Sequence, residues 1–229
     1  IRENDAAFFV GRELFDVQKE LAREMPVLNV ISEYDELPPE ICRVSSANRE
    51  ALRRIAGQAR ECGCRSAGII SFCRSNHSED DPGFRVMRLQ QQLFMQYCKE
   101  EGIEVSPGRN WELYENRDYG QELRTLLKND PPEFIFCNYS YLTGELYESC
   151  RDLGIRIGED IRIMAKSPGL IFTGLKPAVT YMKPPVAEMA VESVKYVCKY
   201  LRGKLRREEL QIPPLSYDFI QGASALPKQ

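Results

Sequence analysis

Short, continuous apolar runs alternate with longer amphipathic stretches along almost the whole chain, and this rhythm narrows the fold more than any other feature. Residues 6–10 (AAFFV), 27–31 (VLNVI), 67–72 (AGIISF), 134–137 (FIFC) and 161–164 (IRIM) read as buried strands. Between them, apolar residues recur at helical spacing. Leu14, Val17, Leu21 and Met25 mark a helix over 12–25, which Pro26 stops. Leu52, Ile55 and Ala59 mark one over 48–62. Met87, Phe94 and Tyr97 mark one over 84–101, closed by Gly102, and a further strand is expected from 103–105. Helices over 119–128, 142–153 and 186–201 continue the pattern, with a strand at 179–182 and an extended tail at 210–220. Asp118 with Gln121 resembles a capping box, and Gly154 and Gly203 stand where helix C-caps belong. Continuous apolar strands alternating with helices predict an α/β fold of parallel sheets covered by helices on both faces.

The 229 residues allow one large domain or two small ones. Lys and Arg number 31 against 34 Asp and Glu, so the net charge of −3 offers no basic excess for gripping DNA alone. No apolar run approaches the roughly 20 residues of a membrane helix, and residues 1–5 carry no signal-peptide pattern. The single histidine, His77, leaves a serine–histidine or multi-histidine zinc mechanism almost nothing to work with. The eight cysteines (Cys42, Cys62, Cys64, Cys73, Cys98, Cys137, Cys150 and Cys198) are scattered singly, apart from Cys62 and Cys64. They read as buried free thiols of a reducing cytoplasm. One residue separates Cys62 from Cys64, whereas structural zinc pairs are spaced by about two to four. No metal or cofactor is expected, and no nucleophile–base pair marks an enzyme. The acidic run Glu79, Asp80 and Asp81 reads as a solvated loop.

Several segments, in order, resemble the effector-binding domain of the lactose/galactose-repressor (LacI/GalR) family, the periplasmic-binding-protein type I fold. The most specific is 151–160 (RDLGIRIGED), followed by IRIM. Residues 175–189 (LKPAVTYMKPPVAEM), 131–137 (PPEFIFC) with Gly144, 210–223 (LQIPPLSYDFIQGA) with Ser224, and 44–64 before AGIISF also match family patterns. The resemblance covers essentially the whole chain. It implies two Rossmann-like lobes joined by three crossovers, here near 44–46, 183–185 and 214–216. Lys183-Pro184-Pro185 and Pro213-Pro214 coincide with the second and third. The expected lobes are 1–44 plus 185–214, and 45–183 plus 215–229. The first is expected to be incomplete, because the family's opening strand–helix–strand–helix unit has no counterpart before AAFFV. A parallel sheet lacking those strands would expose an edge and an apolar face.

The resemblance places a small molecule in the cleft between lobes. Phe72 and Arg74 follow a strand's carboxyl end, where ligands of parallel α/β sheets bind. Arg88 or Gln90 stands where the family carries a hydroxyl-binding arginine. Trp111, the only tryptophan, is expected to stack on a sugar. The family's Asn-Asp pair is replaced by Asn138-Tyr139 or Tyr139-Ser140, and its Gly-Phe-Asp-Asp by Ala165-Lys166-Ser167-Pro168. Both usual acidic acceptors of sugar hydroxyls are therefore gone, and Lys166 in a cleft would favour an anionic ligand. Asn48 keeps one asparagine of a further family pair, while Ala47 replaces its aspartate.

The expectation is a cytoplasmic, homodimeric sensor of a carbohydrate-derived effector. It would contact DNA through a module outside this chain and would not bind a membrane. The helix over 12–25 is the expected dimer contact. Rival readings are a solute-binding protein of a sugar transporter and a ligand-free dimerisation or docking module.

Overall fold

The structure is a computed structural model, and it describes residues 6–10, 14–30, 40–73, 82–166, 172–206, 209 and 212–227. The chain forms two compact units. One comprises Ile1–Asn48 and Pro185–Tyr217, the other Arg49–Pro184 and Asp218–Gln229.

The first unit holds a parallel sheet of β1 (Ala7–Val10), β2 (Val27–Val30) and β3 (Ile41–Val44), in that order. Among the described residues, the helices of this unit are α1 (Phe15–Glu24) and, from the second segment, α6 (Val186–Leu201). Alternation along each strand divides the apolar residues between two faces. Leu28, Val30, Cys42 and Val44 pack with Met189 and Val197 of α6 and with Ile212. Val27 and Ile41 pack with Ala22 of α1. Asn29 lies on the α1 face and donates to Gln18 Oε1 at 2.8 Å, a fully buried amide pair. β3 has no continuous apolar run because Arg43 interrupts it, which hides it from a hydropathy reading. β1 is an edge strand, and Phe8 and Val10 on it are exposed.

The second unit is built on six strands, ordered β5-β4-β6-β7-β8-β9. They are β4 (Ala67–Cys73), β5 (Asn110–Tyr114), β6 (Phe134–Cys137), β7 (Arg162–Lys166), β8 (Thr180–Lys183) and β9 (Asp218–Ile220). All neighbours are parallel except β9, which runs antiparallel to β8. The strand expected from 103–105 is instead β5, seven residues later. Glu104 makes only an isolated bridge to Ser66, and a 3-10 turn at Pro107–Arg109 separates it from the paired strand.

One sheet face carries Ile70, Trp111, Leu113, Ile135, Cys137, Ile163 and Ala165. It packs on α4 (Tyr119–Asn129) through Leu123 and Leu127, and on α5 (Leu142–Asp152) through Leu146 and Cys150. The other face meets α3 (Pro82–Glu100), where Phe94 and Phe136 lie 5.2 Å apart between ring centroids. Next to α3 runs α2 (Asn48–Glu61), joined to its C-terminal end by Arg53–Glu100 and Arg60–Glu101. Asp118 caps α4 by accepting from the Gln121 N–H at 2.9 Å. Gly154 ends α5 at φ +68°, a left-handed conformation that favours glycine.

All eight cysteines are free thiols, seven of them buried. Burial pushes the Cys98 and Cys150 thiols up to about 12, which keeps them protonated and unreactive. Among the described residues no group of His, Cys, Asp and Glu could hold a metal ion, and no helix is long and apolar enough to cross a membrane.

Candidate functional site

In the second unit the chain passes from β4 to β5 on one side, then crosses to β6 on the other. That reversal opens the sheet between the carboxyl ends of β4 and β6, the place where parallel α/β sheets bind ligands. Phe72 is the penultimate residue of β4 and Tyr139 lies two residues past β6, and their rings stack there at 4.6 Å and 16°. The stack continues at both ends. Tyr141 lies 5.5 Å from Tyr139, and Tyr119, at the start of α4, lies 6.3 Å edge-on from Phe72. Tyr139 is 38% exposed and Tyr141 70%.

A polar network lies beside this ladder on the α3 face. Gln90 Oε1 accepts from Asn138 Nδ2 at 2.9 Å and from Lys166 Nζ at 3.4 Å. Asn138 follows β6 and Lys166 ends β7, so one glutamine of α3 ties two strand ends together. The next residue, Gln91, donates to Glu112 Oε1 of β5 at 3.3 Å. Glu112 also pairs with Arg88 at 2.7 Å and accepts from the Tyr114 hydroxyl at 3.3 Å. Burial and the Glu112 charge raise the Tyr114 phenol above its ordinary value. The same two causes push the Cys73 thiol up to about 11.

Three polar atoms here are buried and lack a hydrogen-bond partner among the described residues: Ser71 Oγ, Gln91 Oε1 and Asn138 Oδ1. Leaving such a group unsatisfied costs about 1–3 kcal/mol. They lie on β4, on α3 and just after β6.

Of the expected site residues, Phe72 and Tyr139 meet on the α4 and α5 side of the sheet, Gln90, Asn138 and Lys166 meet on the α3 side, and Arg88 pairs with Glu112. Ser140 adjoins them, its carbonyl accepting from the Thr143 N–H as α5 begins. Arg74, Ser167 and the acidic run 79–81 lie outside the described residues. Trp111 does not join the group. It faces α4 and α5 from β5, is 5% exposed, and its indole N–H donates to the Gly108 carbonyl at 2.8 Å. The expected stacking role therefore has no open ring face to work with at Trp111. Arg88 is engaged by Glu112 and lies over the Phe84 ring at 4.9 Å.

Sequence reasoning missed Ser71, Gln91, Glu112, Tyr119 and Tyr141. The available signal was alternation. Ser71 and Cys73 flank Phe72, and Trp111 and Leu113 flank Glu112, so each strand sends polar and apolar groups to opposite faces.

Comparison with known proteins identifies the fold. Catabolite control protein A of Staphylococcus aureus is 19% identical over 213 residues, 93% of this chain. The chain spans 62% of that relative's length. A LacI family transcription regulator from Clostridium acetobutylicum superposes with a TM-score of 0.76 at 19% identity, covering 95% of this chain and 77% of that one. A LacI family regulator from Arthrobacter sp. FB24, solved in complex with lactose, gives 0.78 at 13% identity, covering 98% and 80%. A periplasmic binding protein/LacI transcriptional regulator from Alkaliphilus metalliredigens, complexed with D-xylulofuranose, gives 0.67 at 14% identity, covering 98% and 79%. A family profile described as periplasmic binding protein-like domain matches residues 56–224, and the chain accordingly belongs to that family and has the fold of LacI-type effector-binding domains.

Proposed function

We propose that this chain is the ligand-sensing part of a bacterial transcriptional regulator. It binds a small carbohydrate-derived effector at the carboxyl edge of the second unit's sheet. DNA is contacted by a module outside this chain, and the regulator works in the cytoplasm as a homodimer. The observation that carries the reading is the partly exposed aromatic ladder at the switch point between β4 and β6, with Tyr139 and Tyr141 open to solvent. Two relatives of the same fold hold lactose and D-xylulofuranose, which supports a sugar-like ligand. Lys166 on β7, beside Gln90 and Asn138, suits an effector with an acidic group. Binding regulates only through its difference in affinity between two states of the protein, so the effector must contact groups that the states arrange differently.

A second reading is a ligand-free docking module. The positions after β6 and at the end of β7 carry Asn138, Tyr139, Ser140 and Lys166 and no aspartate, and that favours it. A thermal-shift screen of the full-length protein against sugars, sugar acids and sugar phosphates separates the two. A binder at about 100 times its Kd adds about 2.7 kcal/mol of stability. A saturable hit weakened by Asn138→Ala supports the sensor. No shift in any class, from folded protein, supports the docking module.

A further inference from the structure

We propose that α6 is a self-association surface, on which a second copy of this chain docks its own α6 in antiparallel orientation. The contact is independent of the effector reading. It also lies on the opposite side of the first unit's sheet from α1, the expected dimer contact.

Two faces of α6 are built to be covered. On the first, Met189 and Val197 pack on the sheet, with Ser193 buried between them. The second consists of Ala187, Ala190, Val191, Val194 and Leu201, all exposed, with half-buried Cys198 among them. These positions recur in steps of three and four, so they form one row along a helix of 16 residues, roughly 24 Å long. Val191, Val194 and Leu201 are 51%, 53% and 49% exposed. Single exposed valines are ordinary. A continuous apolar row down a whole helix marks a contact surface. Among the described residues, no other helix leaves more than one large apolar side chain exposed.

Size and charge both select a second α6, laid antiparallel. The row runs from small residues at Ala187 and Ala190 to a large one at Leu201. About a two-fold axis at Val194, Leu201 of each copy meets Ala187 of the other, and Cys198 meets Ala190. Parallel pairing would set Leu201 on Leu201 and leave a gap between alanines. Beside this row runs a charged one, Glu188, Lys195 and Arg202, spaced by seven residues. The acids of α6, Glu188 and Glu192, precede Val194, and the bases Lys195 and Lys199, with Arg202 at the C-cap, follow it. Antiparallel pairing therefore brings Glu188 of each copy to Arg202 of the other, whereas parallel pairing opposes like charges. Lys195, nearest the axis, is neutralised within its own helix by Glu192 at 2.7 Å. Two separate self-contacts per chain, through α1 and α6, permit assemblies larger than a dimer.

The test is the mass of the full-length protein by sedimentation velocity over a concentration series. Val194→Glu changes an exposed residue, and its melting curve should match the parent. It sets two carboxylates together at the axis and is expected to weaken association at least about tenfold. Glu188→Arg and Arg202→Glu should each weaken it about threefold, and the double variant should restore it. Ala190→Cys should form an interchain disulfide with Cys198 when oxidised glutathione is added, and Cys198→Ser should abolish it. Within one chain these two positions lie about 12 Å apart along the helix, too far to bridge. Unchanged mass in Val194→Glu, a double variant no better than either single one, or no cross-link from Ala190→Cys would each overturn the proposal. A Val194→Glu protein that keeps its mass and melts lower would overturn it too, since the row would then be covered within one copy. All of these outcomes leave the effector reading standing.

Discussion

Replacing Ser71 with alanine is expected to stabilise the second unit, against the usual direction for a buried substitution. The Ser71 side chain sits on β4 in a residue 1% exposed, and its hydroxyl has no hydrogen-bond partner among the described residues. Holding that hydroxyl out of water costs about 1–3 kcal/mol. Deleting it removes the cost and also forfeits a handful of dispersion contacts at about 0.1–0.2 kcal/mol each, on the order of 0.5–1 kcal/mol. The net expectation is a gain of about 1 kcal/mol, or about 2–4 °C in Tm for a unit of this size. Urea unfolding followed by tryptophan emission reads this cleanly. Trp111 is the only tryptophan and lies in the core of the same unit, so the signal reports that unit alone. A Ser71→Ala protein destabilised by about 1 kcal/mol or more would refute the reasoning, since it would mean the hydroxyl is bonded in the folded state.

Other expectations follow from local geometry. A Cβ at Gly222 would overlap the carbonyl oxygens of Ala178 and Val179, so Gly222→Ala should cost about 3 kcal/mol in urea unfolding. Asp118→Ala removes the side-chain acceptor of the Gln121 N–H and should cost about 1 kcal/mol, read the same way. The Arg156 guanidinium and N–H hold the Asp160 carboxyl down at about 2. A depressed carboxylate stabilises the fold above its unfolded value near 3.8, and the contribution is lost as pH falls through about 2. Carbon-detected NMR titration should find that midpoint, and Arg156→Ala should raise it toward 3.8.

Strands that are apolar on both faces announced themselves in the sequence. Phe134–Cys137 was legible to the residue because all four positions are buried. β5 was not, because Trp111 and Leu113 alternate with Asn110 and Glu112, and half-polar alternation carries a weaker signal than a continuous run. At the site, Asn138, Tyr139 and Lys166 could be named because the family resemblance aligns them with its Asn-Asp and Gly-Phe-Asp-Asp positions at two strand ends. Tyr119 and Tyr141 could not, since their meaning lies in ring contacts between separate segments. Trp111 shows the limit from the other side. A lone tryptophan suits a core and a binding face equally by its chemistry, and only the pairing Ile70↔Trp111 decides which face it takes.

The two-segment construction of the first unit has a consequence during synthesis. β2 and β3 leave the ribosome early, yet the helix that covers Leu28, Val30, Cys42 and Val44 begins only at Val186. At roughly 5–20 residues per second, that sheet waits on the order of 10 s with one face bare. The second unit's strands β4 to β8 and their helices emerge entirely within that interval. Vectorial synthesis therefore lets the β4–β8 part of the second unit form before α6 is released, with β9 and residues 221–229 joining it last. The nascent β1–β3 sheet becomes the segment most dependent on chaperone shelter until α6 is released.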